Sequence, residues 1–131
     1  MRKIEEDILK TIDVALACIR KGERFDEKRL SVRDRVYSDI RRGGESYKTD
    51  GYAAYMLWST RIADVYSDRV VVRACGWDTQ TTLSRLDAIL HYYCHTRLYS
   101  RKGEWYVQSL YYRADAIQEI PFTDDMILPR I

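Results

Sequence analysis

With 131 residues, 46% hydrophobic and 12% aromatic content, the chain has the size and composition of one globular domain. Only 2 Pro and 6 Gly exclude a collagenous or long low-complexity stretch. Twenty-two Lys+Arg against 20 Asp+Glu leave a net charge of +2, too small for bulk electrostatics to demand a nucleic-acid or membrane partner, so any polyanion site must be local.

Glu5, Glu6 and Asp7 interrupt the N-terminus, which excludes a signal-peptide core or a membrane span there and predicts a cytoplasmic protein of the host cell. Three cysteines, Cys18, Cys75 and Cys94, are odd in number and set among apolar residues, a pattern of buried reduced thiols and not of a disulfide framework. Ile4, Ile8, Ile12, Ala15, Leu16 and Ile19 repeat at helical spacing and predict a helix over 2–21, ended by Arg20, Lys21 and Gly22. A second helix is predicted over 31–41, with Ser31 and Asp34 as a capping box and Val32, Val36, Tyr37 and Ile40 on one side, ended by Gly43-Gly44. Arg41 and Arg42 at its end read more readily as solvated partners of the helix dipole than as phosphate contacts.

From Tyr52 the residues become β-branched and aromatic, and Met56, Trp58, Thr60 and Ile62 alternate against Tyr55, Leu57, Ser59 and Arg61 as in a strand. Ser67-Asp68 is a turn, followed by a second strand over 69–75 that pairs antiparallel with the first. Its alternation puts Val70, Val72 and Ala74 on one face and Arg69, Val71 and Arg73 on the other. After Gly76-Trp77-Asp78-Thr79, residues Leu83, Leu86, Ile89, Leu90 and Tyr93 define a helix from Thr82 to Tyr93, preceded by capping hydroxyls at Thr79, Thr81 and Thr82.

Lys102-Gly103 is a two-residue hairpin loop, which fixes a register. Arg101 then faces Glu104, Ser100 faces Trp105, Tyr99 faces Tyr106, Leu98 faces Val107 and Arg97 faces Gln108, with Leu98, Trp105 and Val107 turned to the core. The tail after Arg113 carries four acids against one Arg, and Pro121 and Pro129 limit it to turns and short extended pieces that wrap the domain. The expected fold is α+β: an N-terminal helix or helix pair, then an antiparallel sheet of four or more strands with one helix packed on a face. A single domain spans 1–131, with a mainly helical region at 1–50, a sheet-plus-helix core at 51–113 and an acidic tail at 114–131.

The stretch from Leu57 to Val107 carries Ile62-Ala63, then Gly76-Trp77-Asp78-Thr79-Gln80-Thr81-Thr82, Arg85-Leu86 and Gly103-Glu104-Trp105-Tyr106. This pattern resembles a family of small bacteriophage and prophage proteins. Asp87 stands where the family pattern has Asn after Arg-Leu, and the N-terminal helical region is an addition to it. The resemblance implies a phage context and a sheet-plus-helix core, and it brings no site with it. The motif also reads physically as a corner, in which Gly76 allows a tight exit from the strand, Trp77 plugs the sheet-helix junction and the threonines cap the helix.

His91, Cys94 and His95 share one helix face at i, i+3 and i+4, the spacing of metal ligands. A fourth ligand at a recognised spacing is missing, so helix-end histidines are the better reading and no metal or other cofactor is expected. No Gly-x-Ser-x-Gly, phosphate-binding glycine loop or cysteine signature occurs, and acids in turns such as Asp64, Asp68, Asp78 and Glu104 are ordinarily solvated. An enzyme is therefore not expected.

If Val70, Val72, Leu98 and Val107 face the core, alternation sends Arg69, Arg73, Arg97, Tyr99, Arg101, Tyr106 and Gln108 to the opposite face. Arg and Tyr suit a protein partner, as interface anchors, or single-stranded nucleic acid, as phosphate clamps and stacking platforms. The competing reading is a face covered by a helix or simply solvated. The expected function is a phage-derived accessory protein that binds a host protein complex without catalysis, in one version as an inhibitor of a host defence complex such as CRISPR-Cas. The alternatives are a nucleic-acid-binding module and a small enzyme or metal-binding protein. No membrane partner is expected, and eleven tyrosines also fit a homodimer.

Overall fold

In the computed structural model the chain divides into two compact units, residues Met1–Ser67 and Asp68–Ile131. The structure describes residues 9, 10, 12, 13, 16, 35–39, 44–48, 52–58, 60–109 and 119–130.

In the first unit the described residues near the N-terminus are helical, and Leu9, Ile12 and Leu16 are buried. Their spacing of three and four makes them one stripe, which adds Leu9 to the predicted apolar face; the remainder of the helix predicted over 2–21 lies outside the described residues. Four strands follow as an antiparallel meander in the order β1-β2-β3-β4: β1 Arg35–Asp39, β2 Gly44–Lys48, β3 Tyr52–Leu57 and β4 Thr60–Tyr66.

Residues 35–39 of the helix predicted over 31–41 form strand β1, and the rest of that prediction lies outside the described residues. Val36 and Tyr37 are strand formers, Asp34 is not the Glu or Gln that closes a capping box, and a partner strand follows almost immediately. Gly44 opens β2 and does not end a helix; a methyl group there would overlap the hydroxyl of Tyr55, which is fully buried. The long alternating strand read from Tyr52 is likewise two strands. Leu57 pairs with Thr60, and Trp58 occupies the turn between them with φ 51° and 57% of its surface exposed.

The second unit begins after the bend at Ser67-Asp68 with β5, Arg69–Val72, and Val70, Val72 and Ala74 are buried as alternation requires. Cys75 (φ 54°) and Gly76 (φ 82°) turn the chain sharply. Trp77 emerges 53% exposed, so it does not plug the junction; two successive left-handed residues carry it round the corner to the surface. Thr79 caps the helix α1, Gln80–Cys94, its hydroxyl accepting the Thr82 N–H at 3.2 Å. Leu83, Leu86, Ile89, Leu90 and Tyr93 are buried, and α1 packs on β5 and on β6.

Strands β6, Thr96–Arg101, and β7, Glu104–Ser109, form the hairpin in the register read from the sequence, from Arg101↔Glu104 to Arg97↔Gln108. Lys102 and Gly103 both have positive φ, 53° and 81°, as a two-residue turn matched to strand twist demands. The tail supplies β8, Glu119–Pro121, beside β7, and β9, Met126–Pro129, beside β5. Each proline closes its strand, where a missing N–H costs least. The fold is α+β with antiparallel sheets. Among the described residues no helix is long and apolar enough to cross a membrane.

Candidate functional site

The site is the outward face of the sheet β6-β7-β8. Leu98 and Val107 are buried, each 2% exposed, so the alternate residues Arg97, Tyr99, Arg101, Tyr106 and Gln108 fall on the opposite side. Trp105 lies on the inner side with Leu98, half-buried, its ring 5.6 Å from that of Phe122 in the tail.

On the outward side Glu119 reaches from β8 across the middle strand. Its carboxylate accepts the Tyr99 hydroxyl and both terminal nitrogens of Arg101, with Arg101 Nη1 to Oε2 at 3.1 Å. Arg101 also lies over the Tyr106 ring, 4.8 Å from its centroid, and the Tyr99 and Tyr106 rings stand 6.2 Å apart. Tyr106 donates to Glu104 at 2.9 Å. The Glu119 hydrogen bond, with smaller contributions from desolvation and charge, raises the Tyr99 pKa; the charge of Glu119 is the first cause that raises that of Arg101. The result is a preassembled patch in which planar side chains are held by one bidentate carboxylate.

The structure brings Arg97, Tyr99, Arg101 and Tyr106 together on this hairpin and leaves Arg69 and Arg73 elsewhere. Both of those lie at β5, which pairs with β9 and not with β6 or β7, so the single face expected from alternation is divided between two sheets. Arg69 pairs with Asp68 at 2.8 Å and Arg73 with Asp125 at 2.7 Å. Arg97 approaches Asp87 at 3.7 Å. Every arginine of the expected set thus has an acidic neighbour within its own chain.

Three acids that sequence reasoning left out of the site complete it. Glu104 opens β7 opposite Arg101, Asp87 was visible only as a departure from a motif, and Glu119 lay in an acidic tail with no signal of its destination. Of the turn acids, Asp64 is instead a buried carboxylate of β4, with Arg61 Nε at 2.8 Å.

Among the described residues no three His, Cys, Asp or Glu side chains converge as a metal site. His91 and His95 are exposed, and His95 has left the helix as its left-handed cap, φ 48°. Cys94 is buried, with its thiol 3.9 Å from the Leu128 carbonyl and its pKa pushed up to about 12 by burial.

A family model described as Kyanoviridae Gp96 protein matches residues 41–129, a span that includes the corner, α1, the hairpin and the tail strands. No curated protein and no solved structure matches the chain.

Proposed function

The chain belongs to the Kyanoviridae Gp96 protein family, a phage protein family, and from that premise we propose that it works without catalysis, by binding a host protein through the outward face of β6-β7-β8. The observation that carries this reading is Arg101, stacked on Tyr106 and held by Glu119. Tyr and Arg are the side chains that most often anchor protein interfaces, and anchors already fixed in one conformation lose little entropy on binding. The pairing of Arg97 with Asp87 and of Arg101 with Glu119 balances the charge of the face. A surface built for phosphates keeps an excess of cations, so charge balance favours a protein over nucleic acid. A host defence complex, of the kind that CRISPR-Cas represents, is the class of partner that a small non-catalytic phage protein fits.

The test is retention of a host protein on the immobilised chain, repeated with Tyr106→Ala and Arg101→Ala. Selective retention by the native chain and loss in both variants supports the reading. Equal retention by all three removes the face from the function. Binding of DNA or RNA that weakens steeply with salt supports the nucleic-acid alternative, with Arg97 and Arg101 as phosphate contacts.

A further inference from the structure

We infer that β8 is an exchangeable strand whose Glu119 stands in for a carboxylate of the bound protein. The face takes an extended acidic segment of the host protein, which replaces β8 on β7 and sets its own carboxylate on Arg101 and Tyr99. The inference rests on the reading of this face as a protein-binding one and names what it recognises.

The chemistry of the occupant is visible in the contact already made. The Glu119 carboxylate accepts the Tyr99 hydroxyl and both terminal nitrogens of Arg101, while the Arg101 guanidinium lies over the Tyr106 ring. A fork of two N–H donors beside a phenol is a seat for one carboxylate. An incoming Glu side chain makes the same bonds, so the exchange leaves Arg101 stacked and paired and keeps the charge of the face in balance. The backbone edge of β7 lies beside this seat, which selects an extended peptide over a free anion.

Little holds β8 in place. None of its three residues is buried, and Ile120 is 49% exposed, so its departure uncovers little apolar surface. Its register with β7 covers Tyr106, Val107 and Gln108, and Phe122 N–H donates to Trp105 O at 2.9 Å just beyond. Strand β7 runs for six residues, Glu104–Ser109, so a longer guest strand gains ladder bonds that the three residues of β8 do not supply. The exchange has a limit further along the tail. Asp124 accepts the Ala74 and Cys75 N–H groups at 2.9 and 3.2 Å, and β9 pairs with β5, so the end of the chain stays while β8 leaves.

The probe is a fluorescein-labelled peptide with the sequence of residues 117–122, titrated by anisotropy with the native chain and with Glu119→Ala. In the variant the internal competitor has lost its carboxylate, so the peptide is expected to bind at least about tenfold more tightly than to the native chain. The same peptide with Glu119→Gln should bind the variant at least about tenfold more weakly, and Arg101→Ala added to Glu119→Ala should abolish binding. Circular dichroism confirms that each variant is folded. No binding to the Glu119→Ala chain, equal binding of the two peptides, or equal binding without Arg101 overturns the inference. A native dimer that excess peptide dissociates also overturns it, in favour of β8 exchanged between two copies. Peptide binding needs no host protein, so the two readings fail separately. Exchange as expected with no host protein retained keeps the acidic-strand seat and removes the host partner. A host protein retained through Tyr106 and Arg101 but not eluted by excess peptide keeps the face and overturns the exchange.

Discussion

The Asp87 carboxylate accepts the backbone N–H of Leu98 at 2.8 Å, so that the middle of α1 closes the open side of the strand that follows it. The same oxygen lies 3.7 Å from Arg97 Nε. One side chain thus fixes the helix to the hairpin that carries the candidate interface.

Asp87→Ala leaves the Leu98 N–H without its acceptor and is expected to lower stability by about 1 to 3 kcal/mol. Asp87→Asn retains an oxygen at the same place and should recover most of that loss. Arg97→Ala, at an exposed pair, should cost less than about 1 kcal/mol. Urea midpoints of the three variants check this order, and an Asn variant as weak as Ala would show that the charge, not the hydrogen bond, is what matters.

In the first unit, Gly44→Ala places a methyl group against the buried Tyr55 hydroxyl and is expected to destabilise. Tyr55→Phe removes the atom in the way, so the double variant should be more stable than the sum of the single changes by about 0.5 to 3 kcal/mol. Strict additivity in a denaturation cycle would contradict the contact.

The hydrogen bond to Glu119 raises the Tyr99 phenol above its ordinary 10.0. A raised folded pKa means that this contribution to stability is whole below the unfolded value and is lost as pH rises through the folded one. In an ultraviolet titration Tyr99→Phe should delete a late-titrating phenol, and Glu119→Gln should move that phenol down. A Tyr99→Phe curve that lacks only an early-titrating phenol would contradict the hydrogen bond.

Burial that pushes the Cys94 thiol up to about 12 makes it inert in the folded protein. Cys75 is exposed and its pKa is raised, first by desolvation and then by Asp124, so it should react slowly but measurably. In a Cys18→Ser background, maleimide labelling is expected at Cys75 alone until denaturant is added. Native labelling of Cys94 would contradict its place beneath Leu128.

Local chemistry made the hairpin legible down to its register, because a Lys-Gly loop with two left-handed residues admits one pairing of Tyr99 with Tyr106. The helix after Thr79 was equally legible, from capping hydroxyls and a strong apolar period. The segment around β1 was misleading because a spacing of four in the sequence, as at Val32, Val36 and Ile40, fits a strand as well as a helix. The turn at Trp58 carries none of the Gly, Pro, Asn or Asp that announces a reversal. Strand order and the reach of Glu119 to Tyr99 and Arg101 are long-range facts that no local pattern encodes, which is why one expected face became two.

The most direct measurement on the interface is the anisotropy of labelled single-stranded DNA and RNA titrated with the chain at low and physiological salt, beside Arg97→Ala/Arg101→Ala. A face whose arginines are matched by Asp87 and Glu119 should give only weak binding, with the same salt dependence in the variant. Micromolar or tighter binding that falls steeply with salt and is lost in the variant would contradict a protein-binding face and identify a nucleic-acid site.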